Sequence, residues 1–176
     1  EIFPPKKDTE LSNIDATLEV LSELEPDFIS VTFGAGGSSN CNRTIELAKK
    51  IKYEYKIEPV VHLTCLHYDR NEIDEFAKVL KDEGIENILA LRGDANPNVP
   101  AKNDFKHSSD LISYLKKDND FCFLGACYPE CHPESPSVIS EIKSLKKKVD
   151  AGAEVLLSQL FFDNDIFYRF HEECEI

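Results

Sequence analysis

Residues 59–65 read PVVHLTC, residues 87–91 NILAL and residues 121–127 FCFLGAC. Each is a short run, rich in β-branched and apolar residues, with apolar positions on both faces. That is the pattern of a strand buried in a parallel sheet, not of one half-exposed in an antiparallel sheet. Two more such runs flank them, Asp27–Phe33 (DFISVTF) and Glu154–Leu160 (EVLLSQL). The runs recur about every 30 residues, the length of one βα unit. The intervals carry helical spacing instead. Leu11, Ile14, Leu18 and Leu21 share one face, as do Ile73, Phe76 and Leu80 ahead of a stop at Gly84. Ile139, Ile142, Leu145 and Val149 predict the apolar stripe of a later helix closed by Gly152. Asp163 or Asn164 is placed to cap a last helix carrying Ile166, Phe167 and Phe170.

Counting Glu1–Phe3 as an opening strand gives six strands, each followed by a helix. The fold class is α/β, either a doubly wound open sheet or a β/α (TIM-type) barrel. A dinucleotide-binding open sheet should show G-x-G-x-x-G after its first strand, and none is there. Gly34-Ala35-Gly36-Gly37 follows the second strand and lacks that spacing, so the barrel is favoured.

Composition narrows the function classes. With a net charge of −13 the chain lacks the basic stripe of a nucleic-acid binder, so an anionic ligand must be held by locally placed cations and N–H groups. Neither a signal-peptide pattern nor an apolar run of membrane-spanning length is present, and a cytoplasmic location is expected. The six cysteines, at 41, 65, 122, 127, 131 and 174, are expected as free thiols. Cys127-x3-Cys131-His132 and His62-x2-Cys65-x-His67 lack the paired knuckles of a zinc site, and strand alternation puts His62 and Cys65 on opposite faces. No metal is expected. The chain holds no methionine and opens directly on a strand, and so reads as a piece of a longer protein.

In a β/α barrel the site lies at the C-terminal ends of the strands. Those ends carry Glu1, Thr32, His62 with Thr64, Arg92-Gly93-Asp94, Tyr128-Pro129-Glu130-Cys131-His132, and Gln159. Singly, each has a plain explanation: a turn for Arg92-Gly93-Asp94, a satisfied core histidine for His62, a terminal carboxylate for Glu1. Together on one rim they predict a binding site.

These residues sit in blocks that resemble the methylenetetrahydrofolate reductase family. Glu1-Ile2-Phe3-Pro4-Pro5-Lys6 resembles the family's opening motif. Phe28–Ala35, His62–Cys65, Ala90–Asp94, Tyr128–Glu134, and Lys146–Ala153 leading into Gln159–Asp163 follow in the family's order and spacing. The resemblance covers the whole chain and about the first six of the family's eight βα units. It implies a single FAD-binding barrel domain over residues 1–176, lacking its C-terminal strands. The implied activity is reduction of 5,10-methylenetetrahydrofolate to 5-methyltetrahydrofolate by NADH or NADPH through FAD, in a homo-oligomer.

Carried over by position, the resemblance makes Glu1 the acid that helps open the folate's bridging ring to an iminium; a carboxyl suits that step, the more so if buried. It makes Asp94 the negative charge near flavin and pterin, and Gln159 the amide contacting both nicotinamide and folate. Flavin contacts are implied for Thr32, Phe33, Ala35, His62, Leu91, Arg92, Gly93, Asp94, His107, Ser108, Tyr128, His132, Ser135 and Lys147. Glu141, Ser144 and Lys148 fall on one helical face, which the family uses for the ribose and diphosphate of FAD. From spacing alone that face would be read as solvated charge. The sequence departs from the family at Phe33, where a tyrosine is usual, at His107-Ser108 in place of Tyr-Ala, and at Ser135 in place of a small apolar residue.

Three other readings stay open at this point. A pterin-binding barrel that transfers methyl groups without a redox cofactor would explain the rim but not the Glu141/Ser144/Lys148 face. An inactive fragment or binding module would lose flavin. A partner subunit could feed electrons in place of NAD(P)H.

Overall fold

The computed structural model describes residues 1–4, 11–33, 38–118 and 120–175, apart from the side chains of 11, 12 and 38–41. Strands and helices alternate: α1 (Leu11–Ser22), β1 (Phe28–Val31), α2 (Ser38–Tyr53), β2 (Glu58–Thr64), α3 (Arg70–Asp82) and β3 (Asn87–Leu91). Then come α4 (Ser108–Leu115), β4 (Cys122–Cys127), α5 (Val138–Ala151), β5 (Ala153–Ser158) and α6 (Asn164–Cys174). All neighbouring strands are parallel, in the order β1-β2-β3-β4-β5. That monotonic order decides between the two architectures. A doubly wound sheet reverses direction after its first strands, whereas each βα unit of a barrel adds beside the last. The chain is a partial β/α barrel.

Strand alternation divides the core. Val60, Leu89 and Leu124, with Leu157 against them, form the barrel-side cluster. Val61, Leu63, Ile88, Ala90 and Phe123 face the helices, where Leu18, Ile51, Ile73, Leu80 and Leu111 are fully buried. Each such side chain stabilises the fold by roughly 1.5–3 kcal/mol relative to exposure. Cys65 lies in the helix-side cluster while His62 faces the barrel, the opposite-face placement the sequence requires.

Local chemistry sets the helix ends. A capping box starts α3: Asp69 Oδ1 accepts from the Glu72 N–H at 3.1 Å, and Glu72 Oε2 accepts from the Asp69 N–H at 2.8 Å. Ser137 caps α5, and Gly152 closes it at φ +118°, a conformation that favours glycine. Asp163 caps α6, whose Phe170 is buried against Cys127 and Leu145. Among the described residues no helix is long and apolar enough to cross a membrane.

The structure differs from expectation in two places. Glu1–Phe3 makes a single parallel bridge instead of a full strand: the Ile2 N–H donates to Ser30 O and the Thr32 N–H to Ile2 O, at 2.8 and 2.9 Å. Pro4, next along, has no N–H with which to continue a ladder. The inward face of α5 is also rotated from the predicted stripe. Leu145 and Glu141 are buried, but Ile139 and Val149 are 69% and 47% exposed. At about 100° per residue, the buried face sits on the seam between the apolar stripe and the Glu141/Ser144/Lys148 face. The polar side of α5 is turned inward because a cavity lies there.

Candidate functional site

A cavity of about 260 Å³ opens between the C-terminal ends of β3 and β4, the start of α4, the β4–α5 loop and the inner face of α5. Leu91 ends β3 and Arg92 follows it, while His107 caps α4 and Ser108 begins it. Tyr128, His132, Glu134 and Ser135 come from the β4–α5 loop. Glu141, Ser144, Lys147 and Lys148 come from α5. Most of the residues expected to hold the cofactor therefore converge on one cavity, although they come from four separate segments.

Its deep end is built on α5. Lys148 Nζ donates to Ala126 O at 2.7 Å and lies 6.0 Å from the centre of the Tyr128 ring. Burial pulls the Lys148 ammonium below its usual range, and Glu141 opposes that shift. Glu141 itself is only 6% exposed, which rules out a merely solvated charged face. A half-desolvated ammonium beside hydroxyls is suited to a phosphate, and a buried carboxylate to a ribose hydroxyl.

The mouth is built on charge and rings. Arg92 Nη1 donates to Glu134 Oε2 at 2.6 Å, and its Nε donates to Gly93 O at 3.2 Å. The hydrogen bond to Glu134 raises Arg92, and the same bond holds Glu134 below the usual carboxylate range. The pair is solvated, and water screens its contribution to stability. The Tyr128 and His132 rings meet edge-to-face with centroids 4.7 Å apart, and burial pushes the Tyr128 hydroxyl up. The Glu134 N–H donates to His132 Nδ1 at 3.1 Å, which leaves Nε2 to carry the proton of the neutral ring.

A second group lies inside the barrel. His62 Nδ1 is 3.8 Å from Glu1 Oε1, close enough for electrostatic coupling but long for a hydrogen bond. His62 Nε2 is buried with no hydrogen-bond partner, the sort of orphaned polar atom that marks a ligand position. Burial lowers His62, with Glu1 pulling the other way, so the ring is neutral near pH 7. The Glu1 side chain is 51% exposed, beside the single bridge that Ile2 makes to the sheet.

Of the remaining expected residues, Thr32, Gly93, Asp94 and Gln159 follow the C-terminal ends of their strands. Thr32 is half-buried, its carbonyl accepting from Thr44 Oγ1 at 3.1 Å. Gly93 takes φ +84°, and a Cβ there would come within 3.1 Å of Thr64 Cβ, so glycine lets the chain turn tightly across β2. Asp94 follows on an exposed loop, and Gln159 is exposed beyond β5, its N–H donating to Cys127 O at 2.8 Å. The Phe33 ring is packed in the core against Tyr68 and Phe76, at centroid distances of 5.6 and 5.1 Å. Ala35 lies outside the described residues. Sequence reasoning passed over Glu134 and Ser140, which also line the cavity. The signals were there: Ser140 is four residues from Ser144, and Glu134 ends the Tyr128–Glu134 block.

The family model for methylenetetrahydrofolate reductase matches residues 1–176. The chain belongs to that family. It is 39% identical over 174 residues to the 5,10-methylenetetrahydrofolate reductase of Pectobacterium carotovorum subsp. carotovorum, a match covering 99% of this chain and 57% of the relative. The enzyme of that name from Buchnera aphidicola subsp. Acyrthosiphon pisum is 40% identical over 177 residues, covering 99% and 59%. Methylenetetrahydrofolate reductase (NADH) 1 of Arabidopsis thaliana is 35% identical over 189 residues, covering 99% and 32%. The chain thus spans little more than half of each bacterial reductase and a third of the plant one. Among solved structures, an uncharacterized protein from Clostridium thermocellum that binds two copies of 5-methyl-5,6,7,8-tetrahydrofolic acid superposes with a TM-score of 0.62 at 16% identity. That match covers 98% of this chain and 57% of the other, and is a likeness of fold alone.

Proposed function

We propose that residues 1–176 are the FAD-binding barrel domain of a methylenetetrahydrofolate reductase, which reduces 5,10-methylenetetrahydrofolate to 5-methyltetrahydrofolate with electrons from NADH or NADPH. One observation carries the reading: residues the family motifs mark for FAD, scattered from Leu91 to Lys148, line a single cavity. The donor set fits the group. Lys148 and Lys147 supply cations for a diphosphate, and Ser144 and Glu141 supply partners for a ribose. Arg92, Tyr128 and the His132 Nε2–H surround the mouth. A methyltransferase barrel with no dinucleotide has no use for that α5 face.

When bound, FAD supplies a relay for hydride between nicotinamide and folate. The chain's own groups do the rest. The Glu1 carboxyl, through Oε1, hands the folate a proton so that its bridging ring opens, and the half-exposed position leaves it free to exchange that proton with water. Neutral His62 beside it offers a polar ring without a competing positive charge. Asp94 places negative charge where the folate cation forms, and Gln159 orients substrate through its two-sided amide.

The test uses the full natural chain. Nicotinamide oxidation that depends on methylenetetrahydrofolate, with 5-methyltetrahydrofolate as product, is expected. Glu1→Gln should slow folate reduction by about 100-fold or more while flavin reduction by NAD(P)H persists. Methyl transfer from a folate without nicotinamide oxidation would instead mark the methyltransferase reading as correct.

A further inference from the structure

Asp94 stands on a tight loop, and the structure shows what holds that loop. Residues 94–100 double back on themselves: Asn96 and Val99 form an antiparallel bridge, the Val99 N–H donates to Asn96 O at 3.0 Å, and the Asn98 N–H to Asn96 Oδ1 at 2.9 Å. The imidazole of His67, on the loop between β2 and α3, reaches both arms. Its Nε2 lies 3.0 Å from Asp94 O and its Nδ1 3.4 Å from Pro100 O. Both partners are carbonyl oxygens and can only accept. A neutral imidazole has one N–H to give, and the shorter contact assigns it to Nε2. The second contact is completed only when the ring carries both protons.

We propose that His67 is a positioning residue for Asp94: its ring straps the Asp94–Pro100 loop to the β2–α3 loop, with Nε2 bonded to Asp94 O and Nδ1 held beside Pro100 O. The consequence for catalysis rests on the role given above to Asp94. The strap has anchors on either side. The Leu66 N–H donates to Arg92 O at 2.9 Å before it. After it, the Lys102 N–H donates to Leu66 O at 2.9 Å, and Lys102 Nζ pairs with Asp69 Oδ2 and Glu72 Oε2 at 2.7 and 2.6 Å. The titratable groups on the packed segments are Tyr68, Asp69 and Arg70 beside His67, Arg92, Asp94 and Lys102 across from it, and Glu72 on α3. Of these, Lys102, Asp69 and Glu72 are committed to one another, and Arg92 to Glu134. Asp94 is left as the carboxylate whose placement the ring controls.

The experiment compares the full natural chain, loaded with flavin, with His67→Ala and His67→Gln. His67→Ala should slow flavin reoxidation by methylenetetrahydrofolate about fivefold, the equivalent of one hydrogen bond, and leave reduction by NAD(P)H unchanged. His67→Gln, which keeps one amide donor, should recover at least half of the loss. Nitrogen NMR of the ring should show the Nε2–H tautomer in the neutral form. Equal loss in both half-reactions, no loss in the Ala variant, Gln no better than Ala, or the Nδ1–H tautomer would each overturn the proposal. An unsubstituted protein whose flavin does not respond to the two substrates would overturn the functional reading itself, while the His67 strap would still be read from the ring tautomer.

Discussion

Replacing Lys148 with methionine separates cofactor binding from folding. The structure shows what is removed and what is kept. The stem packs beside Gly125, its Cδ 3.5 Å from where a Cβ on that glycine would stand, and methionine retains most of that stem. What goes is the ammonium, with its 2.7 Å hydrogen bond to Ala126 O and its place on the cavity wall. A charge-assisted hydrogen bond to a phosphate contributes about 1.5–3 kcal/mol, and 1.4 kcal/mol is tenfold in affinity, so Kd for FAD should rise about 10- to 100-fold. The Ala126 hydrogen bond is also charge-assisted, worth up to about 1.5–3 kcal/mol, which in a domain of this size lowers Tm by no more than about 3–12 °C and leaves the variant folded. The assay is titration of flavin-free full-length protein with FAD, followed by quenching of flavin fluorescence, with thermal unfolding alongside. Affinity within about twofold of wild type in a folded variant would refute the phosphate role of Lys148. Loss of both binding and fold would make Lys148 structural.

Three further outcomes follow from the geometry. His62 should titrate below 6.5 by NMR, and Glu1→Gln, which removes the group that raises it, should move it lower still; an upward shift would contradict the pairing. Since the folded state resists that proton more than the unfolded one does, stability should fall as pH drops through about 6.5. Gly93→Ala forces a side chain into φ +84° against Thr64, and should lower unfolding free energy by about 1–2 kcal/mol in a denaturant melt while displacing Asp94. Burial pushes the Cys65 thiol up to about 12 from 9.0, so the unfolded state releases its proton first as pH rises. Stability should therefore decline above pH 9, and Cys65→Ala should flatten that slope; an unchanged slope would contradict it.

Much of the fold is legible in the sequence because buried parallel strands announce themselves locally. PVVHLTC, NILAL and FCFLGAC each fall on the strand they predict, and Gly84, Gly152 and Asp163 end or begin helices where expected. What local pattern cannot convey is how an element is rolled against its neighbours. Ile139 and Val149 look like core, yet α5 turns Glu141 inward because the space beside β4 is a cavity with polar walls. The cavity residues are legible as motifs but not as one place, since their convergence depends on β3 and β4 lying side by side in register. Pairings across loops were the least visible. Arg92 with Glu134 and His67 with Asp94 join residues 42 and 27 positions apart, on segments with no periodicity to place them.

The cavity over β3, β4 and α5 is proposed to hold FAD and to pass electrons to a folate. The most direct test is the visible spectrum of the full natural chain as purified, recorded before and after each substrate. Flavin bands that bleach with NADH or NADPH and return on adding methylenetetrahydrofolate are expected. A well-folded, colourless protein that also fails to take up added FAD would contradict it.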